Sequence, residues 1–211
     1  MALSVARKIG PPPVPFRRPD SPGAPLSAWV RPVPDWPQPG VLFRDLTPLW
    51  ADGAAWSRAV TALARPFDPA PPTAVLGIEA RGFLVAASLA ARWGSGLLLA
   101  RKPGRLPSAT LREDFALEYG TAAIESHRDV IVPGSRVLIA DDVLATGGTA
   151  FAALSLARAL GATPIGLAFV LEIAFLGGRA RLGNEVPSHA VIVYDAEGHA
   201  TVHEPAPASV R

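Results

Sequence analysis

Apolar residues follow two patterns along the chain, and the alternation of these patterns indicates an α/β fold. Short apolar runs bounded by Gly, Pro or charged residues are typical of buried strands, and they occur at 73–78, 96–101, 137–140, 165–171 and 190–194. Apolar residues three or four positions apart predict helices at 54–64, 83–93, 149–160 and 175–182. Because strands alternate with helices, we expect a mainly parallel twisted sheet with helices on both faces.

Three stretches fit neither pattern clearly. Residues 27–33 are compatible with the end of a helix, and Pro and Gly residues make 34–48 extended and turn-rich. Around Gly120, residues 115–119 and 121–132 suggest two extended segments. Gly and Pro residues before them suggest a mobile segment with a cationic base that begins at Lys102.

Both ends of the chain are expected to be tails outside one folded domain at 28–196. Residues 1–27 contain seven prolines, which oppose helix formation and sheet pairing, and four basic residues. We expect this segment to be a disordered extension or a misassigned start rather than a functional arm. Prolines and small residues give 197–211 a similar character.

Length and composition fit one globular domain. The chain has 211 residues, of which 49% are apolar and 18% are charged, so it is long enough to bury a sizeable core. The net charge is only +2 and no dense basic run occurs, so nucleic acid is not indicated as a partner. The chain has no cysteine, which excludes disulfides, thiolate catalysis and cysteine-ligated zinc.

The sequence predicts neither a membrane segment nor a secretion signal. Residues 1–13 lack the apolar core of a signal peptide, and the most apolar stretch, 165–176, is short and contains Glu172. We therefore expect a soluble, cytoplasmic protein without membrane partners.

The most informative stretch is 136–150, where an apolar run meets two acids and then a turn that contains glycines. Asp141 and Asp142 come where a buried strand would leave the sheet. An ionised carboxylate has only acceptor sites, so it binds sugar hydroxyls or a hydrated metal ion rather than phosphate. The turn suits a phosphate, because glycines let backbone N–H groups approach it and a helix N-terminus follows. The turn consists of Ala145, Thr146, Gly147, Gly148 and Thr149.

The residues alone leave two interpretations of this stretch open. A strand, an acid pair, a glycine turn and a helix in that order predict a site that holds ribose 5-phosphate. The alternative is ordinary turn chemistry, in which the acids are solvated or cap the helix. The stretch is not a Walker phosphate loop, because no Lys follows the glycines.

A family resemblance makes the first interpretation specific. The run Asp-Asp-Val-Leu-Ala-Thr-Gly-Gly-Thr at 141–149 resembles the motif with which type I phosphoribosyltransferases bind phosphoribosyl pyrophosphate (PRPP). The last six residues of this run, Leu-Ala-Thr-Gly-Gly-Thr, resemble in particular the motif of the adenine-specific branch. The resemblance implies that Asp141 and Asp142 hold the ribose and that 145–149 bind the 5-phosphate.

A second strand-to-helix turn, Glu-Ala-Arg-Gly-Phe at 79–83, also has the geometry of an anion site. Arg81 is suited to bidentate binding of pyrophosphate, and an Arg–Glu pair that caps the helix is the alternative. The turn is similar to the pyrophosphate loop of the same family. This match implies that Arg81 is a catalytic residue that neutralises the departing pyrophosphate.

The segment at 34–48 carries the match to the adenine-specific branch. An apolar patch beside Arg44 suits a base, because a ring stacks on Phe43, whereas a loop packed on the core is the alternative. The pattern Pro-Asp-aromatic-Pro-x-Pro-Gly-Val-x-Phe-Arg-Asp-x-Thr-Pro resembles the N-terminal signature of adenine phosphoribosyltransferases. It implies a hood over adenine at about 28–50, with Leu42, Phe43 and Arg44 at the base.

The resemblance also implies a flexible lid at about 102–120. Lys102 would join Arg81 at the pyrophosphate, and the run Leu-Glu-Tyr-Gly makes Glu118 the catalytic acid at the imidazole side of the base. A solvated Glu on an extended segment is the alternative. The chain departs from the family at Arg105, where Lys is usual, and at Phe115, where Tyr is usual. These two departures leave undecided how the lid closes. The first 27 residues have no counterpart in the family.

Together these matches cover about 33–194 and imply a purine salvage enzyme. It would transfer the 5-phosphoribosyl group of PRPP to adenine, giving AMP and pyrophosphate, and it would form a homodimer. Mg²⁺ is the implied cofactor, held mainly by PRPP and water without a direct protein ligand. Two other functions stay open: phosphoribosyl transfer to another purine base, such as hypoxanthine or guanine, and PRPP sensing by a regulator without catalysis.

Overall fold

The computed structural model describes residues 14–21, 23–116 and 121–204, and these residues form ten strands and five α-helices. No helix in this described part is both long and apolar enough to cross a membrane. The strands are β1 (Arg31–Val33), β2 (Phe43–Asp45), β3 (Ala74–Ile78), β4 (Gly96–Ala100), β5 (Thr110–Ala116), β6 (Thr121–His127), β7 (Arg136–Leu144), β8 (Thr163–Ile173), β9 (Ser188–Tyr194) and β10 (Ala200–Val202). The helices are α1 (Thr47–Ala51), α2 (Gly53–Ala64), α3 (Gly82–Trp93), α4 (Gly148–Ala159) and α5 (Gly178–Leu182), with 3-10 turns at Leu26–Trp29 and Ala174–Leu176.

Six strands form a central sheet in the order β10-β9-β8-β7-β3-β4. Neighbouring strands are parallel except for β10, which runs antiparallel to β9. The expected mainly parallel sheet is therefore confirmed. Because β3 and β7 are neighbours and parallel, the two predicted anion-binding turns that follow them meet at one edge of the sheet.

Helices cover both faces of this sheet. On one face, Leu63 of α2 and Leu89 of α3 are buried in a cluster with Val170 of β8. On the other face, Leu156 of α4 is buried in a cluster with Phe169 of β8. Consecutive residues of a strand point to opposite faces, so β8 contributes to both clusters, as a fully buried parallel strand does.

The helices of the central domain begin and end close to their predicted positions. The helix expected at 83–93 is α3, and it ends at Gly94, whose φ of +64° favours glycine. The helix expected at 175–182 is divided into a 3-10 turn and α5. Gly177 separates them with a φ of +73°, which confirms the prediction that glycine interrupts this helix.

The strand before the two acids is longer than predicted. β7 continues through the acids to Leu144, because β8 runs beside it and pairs Phe169 with Asp141. On the other side of β7, β3 pairs only as far as Gly77 with Ala140. The prediction that the acids follow the strand is therefore wrong. They lie within β7, past its last pair with β3, and both line the larger site cavity.

A small antiparallel sheet lies in the segment assigned to the hood. Residues 27–33, expected to end a helix, instead form the last part of a 3-10 turn followed by β1. Pro32 explains the difference, because proline removes a backbone donor and opposes a continued helix. β1 pairs with β2, with Arg31 opposite Asp45. The sequence pattern misses β2 and α1, which both lie where only a loop is expected.

A separate hairpin, β5 with β6, replaces the two extended segments expected at 115–119 and 121–132. Its pairing begins at Thr110 opposite His127, so the first strand starts earlier and the second ends earlier than predicted. Leu111 and Phe115 pack against the core on the α4 face. Residues 117–120, which include Glu118, lie outside the described residues.

The described parts of the two predicted tails contact the domain. Phe16 packs against the core on the α2 face, and Arg18 Nη2 lies 2.6 Å from Asp52 Oδ2. β10 pairs with β9, so the sheet continues past the boundary predicted at residue 196. Residues 1–13 and 205–211 lie outside the described residues.

Candidate active site

A cavity of about 360 Å³ opens at the carboxyl ends of β3 and β7. A smaller cavity of about 90 Å³ adjoins it and is lined by the glycine turn before α4. The two cavities share four wall residues, Asp141, Val143, Ala145 and Thr149. The larger cavity is lined, among others, by Leu42, Phe43 and Arg44 from the hood, Glu79 and Arg81 after β3, and Asp141 and Asp142 from β7.

Burial raises the pKa values of both acids of β7. Burial raises the pKa of Asp141 well above its usual value, and the negative charge of Asp142 raises it further. Burial also raises the pKa of Asp142, although the Arg81 guanidinium works in the opposite direction. Asp142 Oδ2 lies 2.8 Å from Arg81 Nε but has no hydrogen-bond donor among the described residues. This buried oxygen is therefore suited to accept a hydrogen bond that a sugar hydroxyl donates.

Arg81 extends into the cavity from the N-terminus of α3. Besides its ion pair with Asp142, its guanidinium carbon lies 5.4 Å from the ring centre of Phe43. The side chain keeps 43% of its surface exposed, which leaves room for an anion. Arg81 makes no side-chain cap on α3, and Glu79 pairs instead with Arg101 at 3.2 Å. The alternative of an Arg–Glu pair that caps the helix is therefore wrong.

The turn from Ala145 to Thr149 is packed so closely that only glycine fits at position 147. Gly147 has a φ of +76°, and a Cβ atom there would lie 2.7 Å from the carbonyl oxygen of Gly178. A Cβ atom on Gly178 would in turn collide with the carbonyl oxygen of Ala145. The first N–H groups of α4, from Gly148 onward, have no acceptor within the helix. They border the smaller cavity, which is an arrangement suited to phosphate.

The hood contributes an aromatic and a cationic side chain to the site. Phe43 packs against Trp36 with ring centres 4.7 Å apart and rings inclined by 61°. The Arg44 guanidinium carbon lies 4.0 Å from the ring centre of Tyr194, which is a cation–π contact. Neighbouring Leu42 is 47% exposed. The hood thus offers an apolar wall and hydrogen-bond donors, both of which a planar nitrogen base requires.

Lys102 is connected to the site through its backbone. Within the described residues it lines neither cavity, but its N–H donates to Glu79 Oε2 at 2.9 Å. Arg101 Nε donates to the same oxygen at 3.2 Å. The bond from Lys102 lowers the pKa of Glu79, and Arg101 lowers it further. Glu79, which lines the larger cavity, therefore holds the backbone of Lys102 near the site. The predicted acid Glu118 lies outside the described residues.

Comparison with known proteins agrees with this geometry. Residues 58–197 match the phosphoribosyl transferase domain family. The adenine phosphoribosyltransferase of Thermobifida fusca (strain YX) is 51% identical over 159 residues, which are 75% of this chain and 90% of that protein. The chain belongs to the adenine phosphoribosyltransferase family.

Solved adenine phosphoribosyltransferases share the fold. The enzyme from Rhodothermus marinus DSM 4252 superposes with a TM-score of 0.77 at 46% identity, covering 80% of this chain and 96% of that chain. The Saccharomyces cerevisiae enzyme was crystallised with D-2,5-dideoxy-2,5-imino-altritol 1,6-bisphosphate and adenine. It superposes with a TM-score of 0.73 at 33% identity, covering 78% of this chain and 95% of that chain. The type I phosphoribosyltransferase fold expected from the sequence is confirmed.

Three residues around this adenine phosphoribosyltransferase site escape sequence reasoning. Glu79 accepts the backbone N–H of Lys102, Tyr194 contacts Arg44, and Gly178 packs against the turn at 145–149. Only Gly178 carries a signal, because two consecutive glycines in a short helix indicate a close approach by another segment. The other two have partners far away in sequence, so no local pattern reveals them.

Proposed function

We propose that this chain transfers the 5-phosphoribosyl group of PRPP to adenine, giving AMP and pyrophosphate in purine salvage. The observation that carries the proposal is the arrangement of the two adjoining cavities. Phe43 and the acids of β7 line the larger one, and the glycine turn lines the smaller one. This is the order of base, ribose and 5-phosphate in AMP. The adenine phosphoribosyltransferases of T. fusca and R. marinus support the proposal by their similarity.

The sugar phosphate would be bound from β7 and α4. Asp141 and Asp142 would accept hydrogen bonds from the ribose hydroxyls, and Ala145 to Thr149 would hold the 5-phosphate. The acceptor without a donor at Asp142 Oδ2 supports the first role. The tightly packed turn at Gly147, with the free N–H groups of α4 behind it, supports the second.

The reaction requires charge stabilisation more than covalent chemistry from the protein. A nitrogen of adenine attacks the anomeric carbon while the bond to pyrophosphate breaks, so positive charge develops on the ribose ring. The carboxylates beside the ring would stabilise that charge, and Arg81 and Lys102 would neutralise the departing pyrophosphate. Glu118 would accept the proton that the base loses. Leu42, Phe43 and Arg44 would hold adenine.

Mg²⁺ is the proposed cofactor, and the residues of the site fit it. Asp141 and Asp142 place carboxylate oxygens in the cavity wall, and one of these oxygens has no donor among the described residues. Mg²⁺ prefers oxygen ligands and retains several waters, so these acids would hold it through water rather than directly. When bound, Mg²⁺ would neutralise negative charge on PRPP.

A panel of bases separates the proposal from its alternatives. Hypoxanthine and guanine carry an oxygen at the position where adenine carries its amino group, so a hood suited to adenine meets the opposite hydrogen-bonding pattern. With PRPP and Mg²⁺, we expect a nucleotide from adenine only. Comparable turnover of hypoxanthine or guanine would favour another base, and PRPP binding without turnover of any base would favour a regulator.

The proposal includes a homodimer, for which the surface offers support. Leu84 of α3 and Leu97 of β4 are 48% and 45% exposed, and β4 is an edge strand of the central sheet. Exposed apolar side chains on an edge strand favour association with another protein surface. A cytoplasmic location stays a prediction from the sequence.

A further inference from the structure

Glu125 is a buried acid that the proposed reaction does not use. It lies on β6 and is 7% exposed. It does not line either site cavity in the part of the chain that the structure describes. Because a buried carboxylate is unfavourable unless hydrogen bonds satisfy it, the partners of Glu125 indicate its role.

Both side-chain oxygens of Glu125 bind the segment from Arg101 to Thr110, which is the loop after β4 together with the first residue of β5. Oε1 accepts the backbone N–H of Gly104 at 2.9 Å, and Oε2 accepts the hydroxyl of Thr110 at 3.2 Å. The backbone of Glu125 pairs with that of Arg101 through bonds of 2.7 and 2.8 Å. One residue therefore holds this loop at its beginning, near its middle and at its end.

Two further hydrogen bonds, on the side of the loop that faces the active site, hold the same loop. Glu79 accepts the backbone N–H of Lys102 at 2.9 Å, and Arg101 Nη1 donates to the carbonyl of Arg105 at 3.0 Å. With the backbone held on both sides of Lys102, the direction in which its side chain leaves the loop is restricted. Among the described residues, the Lys102 ammonium makes no hydrogen bond, so it is available to an anion.

We propose that Glu125 is a positioning residue that holds the loop from Arg101 to Thr110 so that Lys102 meets the pyrophosphate of PRPP. It acts through Gly104 and Thr110 and does not touch substrate. The inference rests on the proposed function, in which Lys102 binds pyrophosphate. In this role the buried carboxylate fixes the shape of the loop that carries Lys102, in addition to any effect on stability.

A double-mutant cycle on pyrophosphate binding tests this role. Titration calorimetry with Mg²⁺ and pyrophosphate needs no base, so it reports on the loop independently of adenine turnover. Glu125→Ala should weaken binding by about tenfold, the effect of losing hydrogen bonds to a charged group. In a Lys102→Ala background the same change should have less than about a twofold effect, because the two residues act as one unit. An equal effect in both backgrounds, or no pyrophosphate binding by the wild type, would overturn the inference.

Glu125→Gln is the conservative variant that should rescue binding. Its amide oxygen can accept from Gly104, and its NH₂ group can donate to the Thr110 hydroxyl, which accepts as well as donates. We expect pyrophosphate binding within about twofold of the wild type, because the hydrogen bonds are kept. Binding as weak as that of Glu125→Ala would show that the hydrogen bonds are not the cause and would reject the mechanism.

Trypsin cleavage after Arg105 gives a readout without any ligand. Arg105 is followed by Leu106 and lies in the held loop. Glu125→Ala should be cleaved there several-fold faster than the wild type, because local opening exposes the loop. Glu125→Gln and the control Glu185→Ala, which removes an exposed pair with Arg158, should be cleaved at the wild-type rate. Unchanged cleavage of Glu125→Ala would contradict the proposal.

The tests distinguish this inference from the proposed function. If adenine gives no AMP while the coupling between Glu125 and Lys102 persists, the reaction is wrong and the positioning role stands. If AMP forms while the coupling is absent, the reaction stands and the positioning role is wrong.

Discussion

Arg81 and Asp142 place opposite charges at the wall of one cavity, with Nε and Oδ2 2.8 Å apart. Each is proposed to bind a different part of PRPP, Arg81 the pyrophosphate and Asp142 the ribose. The pair offsets part of the unfavourable burial of a carboxylate that is only 5% exposed. Substrate binding would replace this ion pair with two contacts to PRPP, so changing either residue should affect PRPP more than adenine.

Asp142→Asn removes the charge and keeps the size of the side chain. We expect kcat/KM for PRPP to fall by about 10- to 100-fold, since a hydrogen bond to a charged group contributes about 1.5–3 kcal/mol. Steady-state kinetics at saturating adenine measures this. Asp68→Asn changes a surface acid that pairs with Arg92 at 3.1 Å, and it should leave kcat/KM unchanged. Wild-type kinetics for Asp142→Asn would remove this acid from the site.

Gly178→Ala tests the packing behind the phosphate turn. The added methyl group would collide with the carbonyl of Ala145 and displace the turn. We expect KM for PRPP to rise by about tenfold or more, as overpacking costs about 1–3 kcal/mol, while KM for adenine changes little. Gly53→Ala, where nothing lies within 4 Å of the added atom, is the matched control. An unchanged KM for PRPP would show that α5 does not support the turn.

At the scale of residues, the sequence identifies the charged residues of the site better than the residues that support them through tertiary contacts. Asp141, Asp142 and Arg81 are recognisable because each lies between an apolar run and the start of a helix, where the local order of residues suits an anion or a sugar. Gly178 and Glu125 act through neighbours that are distant in the chain. Their roles depend on the tertiary arrangement, which no local pattern contains.

The hood is an element held by one acid. Asp45 of β2 accepts from Arg31 Nε at 2.9 Å and from the backbone N–H and the hydroxyl of Thr47 at 2.9 and 2.7 Å. Burial alone would raise the pKa of Asp45, but these donors outweigh it and lower the pKa. A lowered pKa in the folded state means that the stabilisation exists above the usual pKa of Asp and is lost as the pH falls through the lowered value. The hood should therefore stay anchored at neutral pH.

Asp45→Ala should loosen the hood without changing the phosphate turn. We expect KM for adenine to rise by roughly tenfold, because several hydrogen bonds are lost, while KM for PRPP stays within about twofold. Kinetics with each substrate varied in turn measure both values. Glu185→Ala, which removes an exposed ion pair, serves as the control. An equal rise in both KM values would mean that Asp45 supports the whole site rather than the hood.

Long elements follow their sequence patterns, whereas short ones do not. α3 and α4 span three turns each and present a clear apolar spacing, so both are found within a residue of their predicted starts. β1, β2 and β10 contain three residues each, which is too short for a periodic signal. The length of β7 depends on β8 beside it, since pairing with Phe169 keeps Asp141 within the strand.

For the whole molecule, the alternation of strands and helices is enough to predict a parallel sheet. It does not give the strand order, in which β7 lies between β3 and β8. That order brings the 79–83 and 145–149 turns together and so creates the site. The alternation predicts that both turns lie at the carboxyl ends of parallel strands, but it does not predict that these two strands are neighbours.

The proposed homodimer is a prediction for the whole molecule. Light scattering after gel filtration should give twice the chain mass of 22.0 kDa. Leu97→Glu should shift the protein towards the monomer, because a charge on the edge strand opposes apolar association. Val132→Glu, at another exposed apolar residue (71% exposed), should leave the dimer intact. A monomeric wild type, or a dimer unaffected by Leu97→Glu, would contradict this surface as the interface.

A single site of this chain is proposed to convert adenine and PRPP into AMP and pyrophosphate. The most direct measurement is to incubate the purified chain with adenine, PRPP and Mg²⁺ and to quantify both products by chromatography. We predict equal molar amounts of AMP and pyrophosphate, with formation dependent on each of the three components. If no AMP forms, or if PRPP is lost without AMP, the proposed activity is wrong.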